Sequence, residues 1–311
     1  MTLIIFLAAA VQAGTPLLFA TLGEIITERS GHLNLGVEGL MLLGAVFGFY
    51  AGFVTGSPII AMIAAALAGA VGALIYAFLT VSLRTNQVVT GLSLTIFGAG
   101  VSGFVGQGLV GQVLSESFRQ TFGKMPIPVL SQIPVLGPIF FNHNIFVYFG
   151  YFMAILLTVY LYKTRAGLNL RAIGENPYAA DASGLAITRT KYFHILLGGA
   201  LCALGGAYLS LVYVPAWQEG VTAGRGWIAV ALVIFSGWNP AFAFLGAVVF
   251  GGLDIVGFRL QKSDIVVSQY LIDMLPYAVT ILVLILGSVR KKNKLHVPES
   301  LGEPYFREDR H

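Results

Sequence analysis

Serine, histidine and acidic side chains set inside apolar stretches are the groups through which this chain could do chemistry. Gly100-Val101-Ser102-Gly103 has the GxSG form of an intramembrane serine nucleophile, which needs a histidine base within hydrogen-bonding reach. His194 is the histidine that falls in an apolar stretch. If both stretches cross a bilayer as helices, Ser102 lies ~21 Å and His194 ~3 Å from the same face, a mismatch of ~18 Å. That gap forbids the hydrogen bond, so Ser102 is expected to pack, and no catalytic residue is expected. His32, His143, His296 and His311 have no metal-ligand spacing, so no metal site is expected either. Cys202, the sole cysteine, cannot form an intramolecular disulfide and sits among small apolar residues as a packing group. No GxxxxGK[ST] phosphate loop occurs, so work driven by ATP would need an ATPase on another chain.

Polar residues inside apolar stretches are costly and attract functional suspicion. Glu38 would lie about 8 Å into a span, just after Asn34. It either lines a pathway or reaches back to the interface. Asn86 and Gln87 form an inner mouth or a turn. Asp254 and Asp273 fall near the outer ends of spans, where exposure at the interface accounts for them. Trp217, Trp227 and Trp238 suit an interfacial belt, or stack on a solute in a vestibule. Asn34, Glu38, Asn86, Gln87, Trp227 and Asn239 are the candidate pathway residues. No acidic or basic relay runs through mid-span positions, which speaks against an ion-coupled carrier, the alternative transport class.

The elements that must position these groups are set by composition. Of 311 residues, 57% are hydrophobic and 10% charged, with mean hydropathy +0.82. Soluble domains carry roughly 25% charged residues, so this chain belongs in lipid. The net charge of +4 is not gathered into a basic, aromatic-laced stripe, which excludes a nucleic-acid surface. Eight apolar runs are long enough to cross a ~30 Å hydrocarbon layer: 3–25, 33–55, 59–82, 88–110, 144–162, 192–213, 241–258 and 269–289. The first lacks the basic leader of a signal peptide, since the first cation is Arg29, and reads as a retained span. A ninth run, 226–237, is too short to span. Its flanking Gly224, Gly226 and Pro240 predict a half-helix or re-entrant segment. The expected fold is therefore an all-α polytopic bundle.

Counting the short run as one crossing, with the N-terminus outside and the C-terminus cytoplasmic, puts 13 basic residues on inner loops and 5 on outer ones. The outer segment 111–143 holds Pro126, Pro128, Pro134 and Pro138, which bar long helices and predict an irregular ordered lobe. Residues 1–290 form the membrane domain, and 291–311 a short polar tail expected to be partly disordered. Small residues at spacings of three and four, as in 98–103 and 198–206, predict close helix packing. Segments 31–58 and 224–240 each pair a Gly-flanked stretch with a following proline, which suggests a repeated unit around a pathway.

One polar island, 163–191, interrupts this pattern with Lys163, Arg165, Arg171, Arg189 and Lys191. Asn176 as N-cap, Pro177 at the first helical position and Gly184 as a left-handed terminator predict a short helix over 176–184. A rigid rod of that kind on the inner face can transmit force from a soluble motor.

These residues resemble a known family. SGHLNLGVEGLMLLGA (30–45), RAIGENPYAADASGLAI (171–187) and GRGWIAVALVIFSGWNP (224–240) resemble, in order, three signature blocks of the ABC-importer permeases that serve branched-chain amino acids, simple sugars and nucleosides, the nucleoside branch above all. The resemblance implies a subunit without ATPase activity or cofactor of its own, in the bacterial cell (inner) membrane. ATP and Mg would be bound by a partner ATPase. It implies a second permease, homologous or identical, and an extracytoplasmic solute-binding protein. The ATPase-coupling residues would be Gly174, Glu175, Asn176, Pro177, Ala179, Ala180 and Gly184. Ala179-Ala180 with Gly184 keeps the AAxxxG part of the importer pattern, whereas the glutamate is displaced to Glu175 and no I-x-L-P follows.

Overall fold

Among the described residues, seven helices are long and apolar enough to cross a membrane. The computed structural model describes residues 3–262, 274–275, 277–279, 281–282, 285 and 297–307. The long helices are α1 (Leu3–Arg29), α2 (Val37–Thr55), α3 (Pro58–Ala77), α4 (Gln87–Gly106), then α7 (Ile145–Lys163), α10 (Ile187–Tyr208) and α12 (Pro240–Lys262). The short helices are α5 (Glu116–Thr121), α6 (Leu136–Phe140), α8 (Arg165–Glu175), α9 (Pro177–Ala182) and α11 (Arg225–Phe235). Seven of the eight expected spans are thus present. The eighth, 269–289 with Asp273, falls largely outside the described residues.

Local chemistry sets the helix ends. Ser57, Asn86, Asn144 and Thr164 each accept a backbone N–H of the first turn that follows. Pro58 and Pro240 open α3 and α12, where a missing N–H costs nothing. α3 and α10 each run on into a π-turn, Phe78–Ser82 and Leu209–Tyr213.

α10 is the axis of the bundle and packs on α1, α2 and α3. With no hydrophobic drive between helices in lipid, close backbone approach and dispersion hold them. A Cβ at Gly44 of α2 would run into the Ala203 backbone of α10, and one at Gly206 of α10 into the Met41 carbonyl of α2. Cys202 is buried there, its thiol toward the Ala20 carbonyl at 3.4 Å. The proline-rich 111–143 segment forms an ordered lobe. Met125–Pro126 pairs antiparallel with Asn142–His143, and Leu114 and Phe118 are buried beneath it.

The end of the bundle that carries α8 and α9 is called the island end below. Of the tail, expected to be partly disordered, residues 297–307 are described and packed against that end. Ser300 N–H donates to the Gly174 carbonyl at 3.0 Å, and Gly302 N–H to the Gly31 carbonyl at 3.3 Å.

Candidate functional site

Residues 33–36 are not helical although they fall within the predicted second span. Backbone in that setting must find partners within the protein. Leu33 N–H donates to Gln87 Oε1 at 2.7 Å, and the Leu33 carbonyl accepts from Tyr76 Oη at 2.7 Å. Asn34 N–H donates to Glu24 Oε1 at 3.0 Å, and Thr95 Oγ1 donates to the Leu35 carbonyl at 3.0 Å. Asn34 Oδ1 turns back onto Gly36 N–H at 2.9 Å. Three helices, α1, α3 and α4, thus supply the hydrogen bonds that a helix would have made for itself.

α2 starts where this segment ends, and the start of α11 faces it. Glu38 Oε1 accepts from Thr222 Oγ1 at 2.6 Å and from Gly224 N–H at 2.9 Å, and Oε2 accepts from Gly226 N–H at 2.6 Å. One carboxylate therefore closes the N-terminus of α11 while standing in the first turn of α2. Both helix ends are electropositive, so an anion between them is favourable. Gly226 allows the approach, since a Cβ there would strike Glu38 Cα. With 11 residues, α11 is about 16 Å long, half a membrane, as expected of a half-helix. Beside it Arg225 pairs with Asp254 at 3.2 Å, both 16% exposed, so Asp254 has a specific partner and not simply an interfacial position.

At the island end, α1 carries Glu24 and Glu28 one turn apart, both buried. Glu28 accepts from the Trp238 indole N–H, and the Arg29 guanidinium donates to the Trp238 carbonyl at 3.2 and 3.3 Å. The foot of α11 is thereby tied to the foot of α1.

The polar island is a helix–break–helix. Asn176 ends α8 and caps α9, its Oδ1 accepting Ala179 N–H at 2.9 Å. Gly184 has φ +82°, and Leu185 N–H returns to the Ala180 carbonyl at 3.1 Å, closing the turn as predicted. α8 is an addition to the sequence reading, which took 163–175 as loop. Glu175, Asn176, Ala179 and Gly184 are exposed, whereas Gly174, Pro177 and Ala180 are buried. Gly174 faces the end of α1, where a Cβ would meet the Arg29 carbonyl.

Residues 5–284 match the family described as branched-chain amino acid transport system / permease component. The chain belongs to this family. It is an ABC importer permease, a subunit that works with a separate ATPase and carries no ATPase domain. A protein of Haloferax volcanii named as a glucose ABC transporter permease is 36% identical to this permease over 97% of both chains. A guanosine ABC transporter permease of Bacillus subtilis is 33% identical, again over 97% of both. A solved ABC transporter described as metal-chelate type, in an inward-facing conformation, shares the fold with TM-score 0.50 at 18% identity, covering 91% of this chain and 85% of that one.

In the permease, five of the six pathway candidates support backbone where they stand. Asn34 and Gln87 hold the 33–36 segment and Glu38 the start of α11, while Asn86 and Asn239 cap α4 and the start of α12. Trp227 is half-buried in the first turn of α11. Ser102 and His194 are not brought together. His194 Nδ1–H donates to the Thr190 carbonyl at 2.6 Å and its Nε2 accepts from Tyr160 Oη at 2.7 Å, which uses both ring nitrogens. Sequence reasoning missed Glu24 and Glu28. Their spacing of four, just before the first cation, was the available signal. Among the described residues no group of three or more His, Cys, Asp or Glu is placed to hold a metal.

Proposed function

We propose that this permease imports nucleosides by alternating access, with its island end in the cytoplasm, its N-terminus outside and its C-terminus inside. The ATPase sits on α8–α9, and the exposed small residues Ala179 and Gly184 are the observation that carries this placement: they let the rod lie in a shallow cleft. Pro177 and Ala180, buried beneath, pass the stroke into the bundle, and Gly174 passes it to α1. A second permease completes the pathway and an external binding protein delivers the solute. The 33% identity to a guanosine permease across the whole length, together with the 30–45 and 224–240 blocks, supports nucleosides. The glucose permease relative supports sugars as the second reading.

The test is uptake of labelled guanosine and glucose in vesicles holding the whole transporter. Guanosine uptake that needs ATP, and is lost in Gly184→Trp, is the expected result. ATP-driven uptake of glucose alone would refute the solute assignment. Unchanged uptake in Gly184→Trp would refute the docking site.

A further inference from the structure

A cavity of about 470 Å³ opens at the island end between the foot of α3, the start of α10, α9 and the tail. Its lining holds four basic side chains, Arg84, Arg189, Lys191 and Arg307, against one acid, Asp181. Asp181 is already engaged by Arg307 at 3.2 Å. Lys191 is 2% exposed, and among the described residues its ammonium meets no carboxylate, only the face of Tyr305 at 5.9 Å. A cation buried that deeply without a counter-charge is costly. His32 is also buried, and its Nδ1 has no hydrogen-bond partner. Burial, and Lys191 beside it, hold His32 well below its usual pKa, so the ring is neutral and offers a donor or an acceptor. Finally, the N-terminus of the 22-residue α10 has no side-chain cap, and its first residues, Ile187 and Thr188, line the same cavity. Uncapped N–H groups at a helix start are an anion seat.

From this geometry we infer a binding site for a phosphate-bearing anion, occupied by the headgroup of an anionic phospholipid. Phosphate chemistry follows from the uncapped α10 start, the buried Lys191 and the flanking guanidinium groups. The lipid follows from position. The lining residues Thr80, Val81 and Lys191 lie at the ends of two membrane helices. The neighbouring Phe78, Leu83 and Phe193 are 52, 56 and 61% exposed, an apolar surface for acyl chains beside the polar seat. The site does not depend on which solute crosses, and it shares Asp181 and Gly184 with the α9 rod on which the ATPase is proposed to sit.

Native mass spectrometry of the full-length chain in zwitterionic detergent tests this. The chain is titrated with phosphatidylglycerol, phosphatidylcholine and glycerol 3-phosphate. One phosphatidylglycerol should bind in preference to phosphatidylcholine. Arg189→Gln and Arg307→Gln, both surface changes that leave the core alone, should each weaken it about fivefold, and Lys191→Met by at least as much. Glycerol 3-phosphate binding in place of the lipid, with the same dependence on Arg189, would uphold the phosphate seat and overturn its assignment to lipid. Equal affinity for the two lipids, or phosphatidylglycerol affinity unchanged in all three variants, would overturn the site. Variants that keep lipid affinity in the chain alone, but lose the ATPase when the same spectra are taken of the whole transporter, would also overturn it and assign the cavity to that partner.

Discussion

Removing the Glu38 carboxylate should loosen α11 more than any other single polar change in the bundle. Its two oxygens take three hydrogen bonds, two of them from backbone N–H groups that have nowhere else to turn. A buried donor left without its acceptor costs about 1–3 kcal/mol, and losing an acid at a helix start about 0.5–1 kcal/mol more. Thr222 can rotate its hydroxyl away, so Glu38→Ala loses the two backbone bonds and the charge, about 4 kcal/mol together. Glu38→Gln keeps one carbonyl oxygen and turns an amide N–H₂ against a donor, which loses one bond and the charge, about 2 kcal/mol. At about 2 °C per kcal/mol for a chain of this size, the unfolding midpoint in detergent should fall by roughly 8 °C and 4 °C. Thr222→Val shares the same oxygen, so a double-mutant cycle with Glu38→Gln should show a coupling of about 1 kcal/mol. Midpoints within about 1 °C of the parent for both Glu38 variants would show that the carboxylate does not hold the starts of α2 and α11 together.

Gly206→Val should abolish folding or membrane accumulation, because the new side chain meets the Met41 backbone, whereas Gly56→Ala, which meets only open space at φ +66°, should cost about 1–2 kcal/mol. Membrane yield and melting separate the two. Burial holds His143 below its usual pKa, with Nε2–H donating to the Ile139 carbonyl at 2.6 Å and Nδ1 accepting from Gln12 at 3.4 Å. The unfolded chain therefore binds a proton near pH 6.5 that the folded chain refuses, so stability is full above that pH and falls as pH drops below it. Melting between pH 7.5 and 5.5 should show this loss, and His143→Gln should flatten it in part, His32 contributing the rest. Ser300→Ala removes the hydroxyl that donates to the Gly174 carbonyl at 2.6 Å and should cost about 1 kcal/mol, while Arg307→Ala, breaking a pair whose arginine is 76% exposed, should cost under about 0.5 kcal/mol. Chemical denaturation of the two variants side by side checks the contrast.

Local rules carried the sequence reading a long way. Span positions came from apolar length alone. The half-helix came from the glycines and proline around 226–237, and the α9 rod from Asn176, Pro177 and Gly184. Each of these signals lies within a few residues of the structure it dictates. What was not legible depends on partners remote in sequence. Nothing near Glu38 in the sequence announces that Gly224 and Gly226 arrive beside it. Glu24 and Glu28 look like loop acids at the end of a span until Asn34 and Trp238 receive them. α8 was hidden for a different reason: its polar residues resemble loop composition, while Leu170, Ile173 and Gly174, its buried stripe, gain meaning only once the feet of α1 and α7 lie beneath them. The packing of tail residues 297–307 was not legible either, since it comes from strangers to them in the chain, Gly31 and Gly174.

The stitching of the tail has a practical side. Arg307 is held beside Asp181 of α9 at 3.2 Å. A bulky reporter attached on the 297–307 stretch would therefore sit beside the surface on which the motor subunit is proposed to land. Labels there should be kept small, or moved to the opposite end of the bundle, before a loss of activity is blamed on the sequence itself.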